Sequence, residues 1–197
     1  WTAIGTALLL IGWFGFNAGS ALSADGRAAL AMLVTMAAAA AAGLAWMLVE
    51  WFVRGAPTLL GVLSGLIAGL VAITPAAGFV QVGSAVAIGL IAGVACFWGA
   101  TWLKRQLGVD DSLDVFGVHG VGGIVGSVLT AVFADRSISG QDTTIANQLI
   151  AVVSVMVYSA LATGALLSLI RVLTPLRVDA QQEMDGLDVS LHLERQN

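Results

Sequence analysis

The sequence predicts an all-α, polytopic helical membrane protein with six transmembrane helices, and three observations carry that prediction. Charged residues fill only 10% of the 197 positions and hydrophobic residues fill 58%. Ordinary soluble domains give roughly a quarter of their residues to charge. The scarcity is also patterned. Residues 1–24, 28–49, 115–134 and 143–170 carry no Asp, Glu, Lys or Arg, and residues 55–103 carry none for 49 positions. That last run is long enough for two crossings at about 20 residues each. Finally, the runs are continuously apolar rather than short and alternating, which selects helices over an outer-membrane barrel.

Taken in order, the first span is expected over 2–22, followed by the polar turn SADGR at 23–27. The second covers 28–52 and ends in EWFVRGAP, where Gly55 and Pro57 break it. The third covers 58–73 and stops at Thr74-Pro75, followed by the uncharged loop TPAAGFVQVG. The fourth covers 82–103 and is closed by Lys104-Arg105. QLGVDDSLD leads to the fifth, over 114–134, and DRSISGQDTT leads to the sixth, over 146–172. Residues 173–197 are polar and charged and read as a tail. Trp1 stands directly before a span, with no Met and no basic leader, so preceding residues are expected to be absent.

Basic residues orient the spans, because cytoplasmic loops carry an excess of Lys and Arg. One side collects Arg54, Lys104, Arg105, Arg171 and Arg177, the other Arg27 and Arg136, so the tail is expected in the cytoplasm. Trp46, Trp51, Trp98 and Trp102 fall near the ends marked by Arg54 and Lys104 and read as an aromatic belt. Glycine repeats every fourth residue at Gly61, Gly65 and Gly69 and again at Gly89 and Gly93. It repeats every third at Gly117, Gly120, Gly123 and Gly126. Such spacing lets helices approach closely, either to line a narrow path or simply to make a compact bundle. Cys96 is the single cysteine, so an internal disulfide is impossible, and it reads as buried filler. The net charge of −4 and the lack of a basic patch give no sign of a nucleic-acid partner.

The stretch DDSLDVFGVHGVGGIVG, residues 110–126, holds the chemistry. It begins with Asp110, Asp111 and Asp114, turns apolar, and contains a lone titratable group beyond them, His119. An ionisable side chain in a span is costly and usually faces a path or relay. The alternative is a structural histidine bonded to a neighbouring carbonyl. Asp110 and Asp111 suit capping at the positive end of a helix dipole. Asp114 lies five residues before His119, off its face, and could brace the site.

This stretch closely resembles the signature of the ammonium transporter family, the Amt/Mep/Rh channels. GWFGFNAGSAL at 12–22, LLGVLSGLIAGLVAITPAAGFV at 59–80 and EMDGLDVSLH at 183–192 resemble that family too, in the right order. The resemblance implies an eleven-helix fold of two inverted five-helix repeats plus a last helix, assembled as a homotrimer with one pore per subunit. This chain would supply helices six to eleven. Residues 1–172 would form a partial channel domain and 173–197 a cytoplasmic tail. By the same resemblance, Ser20 matches a hydroxyl of the outer ammonium-recruiting vestibule and Phe16 the inner of two stacked phenyl rings that gate the pore. His119 matches one of two pore histidines, and Leu9 and Val115 match apolar pore-lining positions. Asp114 matches a buried, structural acidic residue. Without the resemblance, Ser20 reads as a helix-end cap and Phe16 as packing or a lipid-facing ring.

The expected function is ammonium and ammonia transport across the plasma (inner) membrane, with no cofactor and no covalent chemistry. An apolar pore rejects K⁺ and Na⁺, which cannot shed a proton to escape the cost of burial. Ammonium can be held by a hydroxyl and aromatic faces, lose a proton, and pass as ammonia. The tail resembles the family segment that contacts PII-type regulatory proteins, though it also reads as a solvated end. Two other readings fit the residues: a channel for a small neutral solute, and an ammonium sensor signalling through its tail. A third reading is that an isolated half carries no activity of its own.

Overall fold

A computed structural model describes residues 1–192. Six helices in it are long and apolar enough to cross a membrane: Thr2–Gly19, Gly26–Arg54, Leu59–Ala76, Val82–Leu107, Phe116–Phe133 and Ile145–Leu173. The boundaries have local causes. Helix α1 (Thr2–Gly19) ends three residues before the expected limit, and Leu22 beyond it takes a left-handed φ of +56°. Helix α2 (Gly26–Arg54) starts where the Asp25 carboxylate accepts the N–H groups of Arg27 and Ala28, and stops at Gly55, whose φ of +82° suits glycine. Helix α3 (Leu59–Ile73) is capped by the Thr58 hydroxyl, which accepts the Gly61 N–H, and runs into a 3₁₀ turn over Thr74–Ala76.

Helix α4 (Val82–Trp98) continues through a π turn, π1 (Gly99–Leu103), into a short α5 (Lys104–Leu107) that ends at Gly108, φ +60°. The fifth span opens with a second π turn, π2 (Phe116–Gly120), and continues as α6 (Val121–Phe133). It therefore begins after Asp114, not at it. Asp114 has a φ of +55°, which a helix cannot accommodate. The linker DRSISGQDTT contains α7 (Arg136–Ser139), and the last span is α8 (Ile145–Leu173).

Two compact units are resolved, Trp1–Val152 and Val153–Asn197. In the first, α2 is the hub. Its run Ala37–Ala42 offers a surface of methyl groups, and the glycines of α3 and α4 close onto it. A Cβ on Gly65 would lie 2.8 Å from the Ala42 carbonyl, one on Gly69 would lie 2.7 Å from Ala39 Cα, and one on Gly93 would lie 2.8 Å from Ala45 Cβ. This is the close approach that the four-residue spacing predicts. The three-residue series divides. Gly117 packs on Ala100 and Gly126 on Ala72, but Gly120 faces only its own Phe116 and Gly123 faces nothing within 4 Å. A three-residue repeat slips by about 60° per step at 3.6 residues per turn, so these four glycines cannot share one face. The belt reading needs a correction at Trp46, which is 5% exposed and stacks edge-on to Phe97. Trp51, Trp98 and Trp102 are exposed, as a belt requires.

The second unit holds the rest of α8 and two short helices, α9 (Ala180–Asp185) and α10 (Leu187–Ser190). The stretch read as a polar, charged tail carries a capping box at Asp179 and Gln182 and an ion pair between Arg177 and Glu183. Residues 193–197 of that tail lie outside the described residues.

Candidate functional site

At one end of the first unit, α1 is fixed to its neighbours by two polar bonds on either side of Phe16. Trp13 Nε1–H donates to Thr74 Oγ1 at 2.7 Å, and the Thr74 hydroxyl donates to the Leu70 carbonyl at 2.8 Å. The buried Asn17 amide donates to Thr35 Oγ1 at 2.9 Å, and Thr35 donates in turn to the Ala31 carbonyl. Phe16, three residues from one bond and one from the other, is 63% exposed, with its ring tilted against Trp13 at 6.0 Å. The Ser20 hydroxyl donates to the Phe16 carbonyl at 2.7 Å, the helix-end bond its position suggests. That bond uses the O–H and leaves the oxygen's lone pairs to accept from another donor.

Phe16, Ser20, Arg27, Thr74 and Phe79 line a cavity of about 180 Å³. Arg27 lies over the Phe79 ring at 5.0 Å. Sequence reasoning used Arg27 only for orientation, and no spacing signal links it to Ser20. Two carboxylates finish this end. Hydrogen bonds from the Ser23 hydroxyl and the Ala28 N–H hold the Asp25 carboxyl below its usual range. Ser137 and Gln81 do the same for Asp135, whose N–H also donates to the Phe79 carbonyl at 2.8 Å.

The opposite end gathers Arg54, Lys104 and Arg105, as the charge count requires. Here the carboxylates of the signature stretch find their partners. Asp111 accepts the N–H groups of Val115 and Phe116, both at 2.8 Å, and so caps π2. Asp110 accepts from the Ser112 hydroxyl at 3.4 Å. Asp114 accepts from Lys104 Nζ at 2.7 Å. Its side chain is 36% exposed, so it is a half-buried residue at the entrance of the span, not a buried one within it.

Val115 and His119, one helical turn apart, both lie on the exposed side of this segment. With Leu107, Asp111 and Phe116 they line an apolar-walled cavity of about 570 Å³. Among the described residues no hydrogen bond reaches the imidazole, so a structural bond to a carbonyl does not account for it. Cys96 is buried, as expected, and its thiol also donates to the Val118 carbonyl at 3.5 Å.

A second cavity at this end, about 580 Å³, is lined by Glu50, Arg54, Thr58, Lys104 and Asp114. Sequence reading missed Glu50. Its carboxylate is 1% exposed and accepts from Arg54 at 2.7 Å and from the Thr58 N–H and hydroxyl, each at 3.1 Å. The available signal was a lone acid four residues before Arg54, just before a helix break.

The structure therefore brings Phe16 and Ser20 to one cavity and Val115 and His119 to another. Leu9, two turns before Phe16 on α1, is exposed and belongs to neither. Among the described residues no group of three or more His, Cys, Asp or Glu is placed to hold a metal ion.

A model of the Ammonium Transporter Family matches residues 1–197. A putative ammonium transporter of Methanothermobacter thermautotrophicus is 47% identical over 204 residues, covering 98% of this chain and 50% of that protein. An ammonium transporter of Bacillus subtilis is 44% identical, covering 99% of this chain and 50% of that protein. Among solved structures, Saccharomyces cerevisiae Mep2 superposes with a TM-score of 0.84 at 38% identity, covering 91% of this chain and 43% of that one. A structure described as a sensor Amt protein superposes with a TM-score of 0.89 at 32% identity, covering 96% and 48%. The chain spans about half the length of the curated relatives it matches.

Proposed function

Because the chain belongs to the ammonium transporter family, we propose that it supplies one wall of a membrane path for ammonium and ammonia. The observation that carries this reading is the His119 imidazole. It sits in a membrane span, exposed to an apolar-walled cavity and without a hydrogen-bond partner among the described residues. An ionisable ring so placed is costly unless something passing uses it. Neutral imidazole offers one donor and one acceptor, which suits ammonia. At the other end, the Ser20 oxygen accepts an N–H of ammonium while the Phe16 ring face attracts the cation and then closes the way. Between these points Leu9 and Val115 keep the path apolar, so K⁺ and Na⁺, which cannot deprotonate, are refused. No covalent step is involved, and Asp114 acts as a brace, not a conductor.

In this reading residues 1–172 form the channel part and 173–197 a cytoplasmic tail that receives a PII-type regulator. The Arg54, Lys104 and Arg105 end faces the cytoplasm of a plasma (inner) membrane, and the assembly is a homotrimer. In a full-length transporter carrying residues 1–197, His119→Ala is expected to lower methylammonium uptake at least tenfold or to admit K⁺, at unchanged membrane expression. Wild-type uptake and selectivity would remove His119 from the path. A second reading, an ammonium sensor, is favoured by the likeness to the sensor Amt structure. It predicts saturable ammonium binding with little methylammonium uptake by the same full-length transporter.

A further inference from the structure

Two π turns face each other at the Lys104 end, and they touch through glycine. A Cβ on Gly117 would lie 2.6 Å from Ala100 Cα, and one on Gly99 would lie 2.9 Å from the Gly117 carbonyl. A π turn closes i→i+5 bonds and holds one residue more than an α turn. Returning π2 to α geometry would rotate one side of it against the other by about 100°, the angle of one residue at 3.6 per turn. The far side is anchored, since Gly122 packs on Cys96 and Val71 and Gly126 packs on Ala72. His119, inside the turn, would take up the rotation.

Something must therefore hold π2 in its register, and the neighbouring groups are placed to do so. Lys104, the residue directly after π1, bonds Asp114, two residues before π2, at 2.7 Å. Asp114 has a φ of +55°, a conformation side-chain-bearing residues seldom adopt, and its carbonyl accepts the Val118 N–H at 2.8 Å. One ion pair thus ties the end of one π turn to the start of the other. On the inner side, the Cys96 thiol donates to the carbonyl of Val118, the residue before His119.

We propose that the Lys104–Asp114 ion pair, assisted by the Cys96 thiol, holds the second π turn in register and so sets the direction of the His119 imidazole. Lys104, Asp114 and Cys96 are then positioning residues. The consequence for transport rests on His119 being a path residue, whereas the positioning does not.

The test is the carbethoxylation rate of His119 as a function of pH in the intact protein in lipid nanodiscs. It is read by peptide mass spectrometry with the exposed His192 as internal control. Lys104→Met is expected to change the His119 rate several-fold and to move its pH midpoint, with His192 unchanged. Lys104→Arg, which keeps the pair, should restore the wild-type profile. Cys96→Val should give a smaller change than Lys104→Met, and Cys96→Ser, which keeps a donor, should give none.

Asp114→Gly guards against misfolding of Lys104→Met, because glycine takes the left-handed backbone without strain and only the pair is lost. It too should change the His119 rate several-fold. A wild-type His119 profile in Lys104→Met or Asp114→Gly overturns the proposal, as does a Lys104→Arg profile no different from Lys104→Met. Methylammonium flux in the same variants separates the two readings. A changed His119 profile with unchanged flux supports positioning and counts against His119 as a path residue.

Discussion

The α2–α3–α4 interior and the face made by α1 and π2 are built from the same residue types and reach opposite ends. In the interior, a Cβ added to Gly65, Gly69, Gly89 or Gly93 would overlap backbone or methyl groups of the α2 alanines. On the α1 face, Gly5, Gly12, Gly15 and Gly19 have nothing within 4 Å, and Leu9, Phe16 and Val115 are about half exposed or more. Glycine periodicity is present in both regions. The partner differs: α2 offers α3 and α4 a run of six alanines, whereas a Cβ on the α1 glycines would meet nothing within 4 Å among the described residues. Small residues at a regular spacing mark a helix able to pack, and the matching surface decides whether it does. Here the residues nominated for transport lie on the uncovered face.

The sharpest way to break this comparison is to place the same side chain in both regions. A Cβ at Gly89 already meets the Ala38 carbonyl and lies 2.9 Å from Ala41 Cβ, so Gly89→Leu must separate α4 from α2. Overpacking typically costs about 1–3 kcal/mol and more when backbone is in the way. Loss of monodisperse elution in detergent is expected. Gly12→Leu and Gly123→Leu, with open space around each, should elute as wild type. Equal damage at Gly12 would show that the α1 face is packed after all.

A smaller effect is expected where polar groups close the interior. Glu50 joins the end of α2 to the start of α3 through Arg54 and Thr58. Glu50→Ala leaves the Thr58 N–H without its acceptor and removes the partner of a half-exposed Arg54. A cost of about 1–3 kcal/mol follows, appropriate to one lost buried acceptor when the Arg54 part is screened by solvent. Glu50→Gln, which still accepts from Thr58, should fall between. The thermal midpoints of both variants in detergent check the order. A midpoint for Glu50→Ala equal to wild type would mean that glycine contacts alone hold the interior together.

Much of this was legible in the sequence, for identifiable reasons. The six spans follow from uncharged runs whose ends carry Asp25, Gly55, Thr58 and Gly108, residues with strong local preferences at helix termini. The α3 and α4 glycine faces follow from a spacing that α geometry preserves. The π turns were not legible, because no residue type demands one. The exclusion of Asp114 from the fifth span, which follows from its φ of +55°, was not legible either. Trp46 was misjudged because nearness to a helix end does not say which side of the helix a residue occupies. For His119 the residue type itself suggested a site, whereas for Ser20 and Phe16 only the family resemblance did. Their common exposure, and the Lys104 partner of Asp114, appear only in three dimensions.

The smallest expected effect concerns the rim that joins the interior to the α1 face. Asp135 caps α7, accepts from Gln81 at the start of α4, and sends its own N–H to the Phe79 carbonyl. Its hydrogen bonds from Ser137 and Gln81 favour the charged carboxylate and hold its pKa below the ordinary 3.8. The group lies at the partly exposed surface, so the effect is slight. A carboxyl with a depressed folded pKa adds stability that is present above the unfolded pKa and is lost as pH falls through the folded one. The Asp135 contribution to the melting midpoint should therefore stay level from pH 7 to about 4 and decline below that. Asp135→Asn should flatten part of the decline, because an amide keeps its charge state at every pH. Asp25, which caps α2 and is depressed in the same direction, adds to the decline. Because both acids grip ends of helices in the interior, and neither lies on α1, Ser20→Ala should leave this acid limb unchanged. If Ser20→Ala moved the acid limb as much as Asp135→Asn does, the rim would be shared by both regions, and the line drawn between interior and α1 face would have to be given up at this end of the molecule.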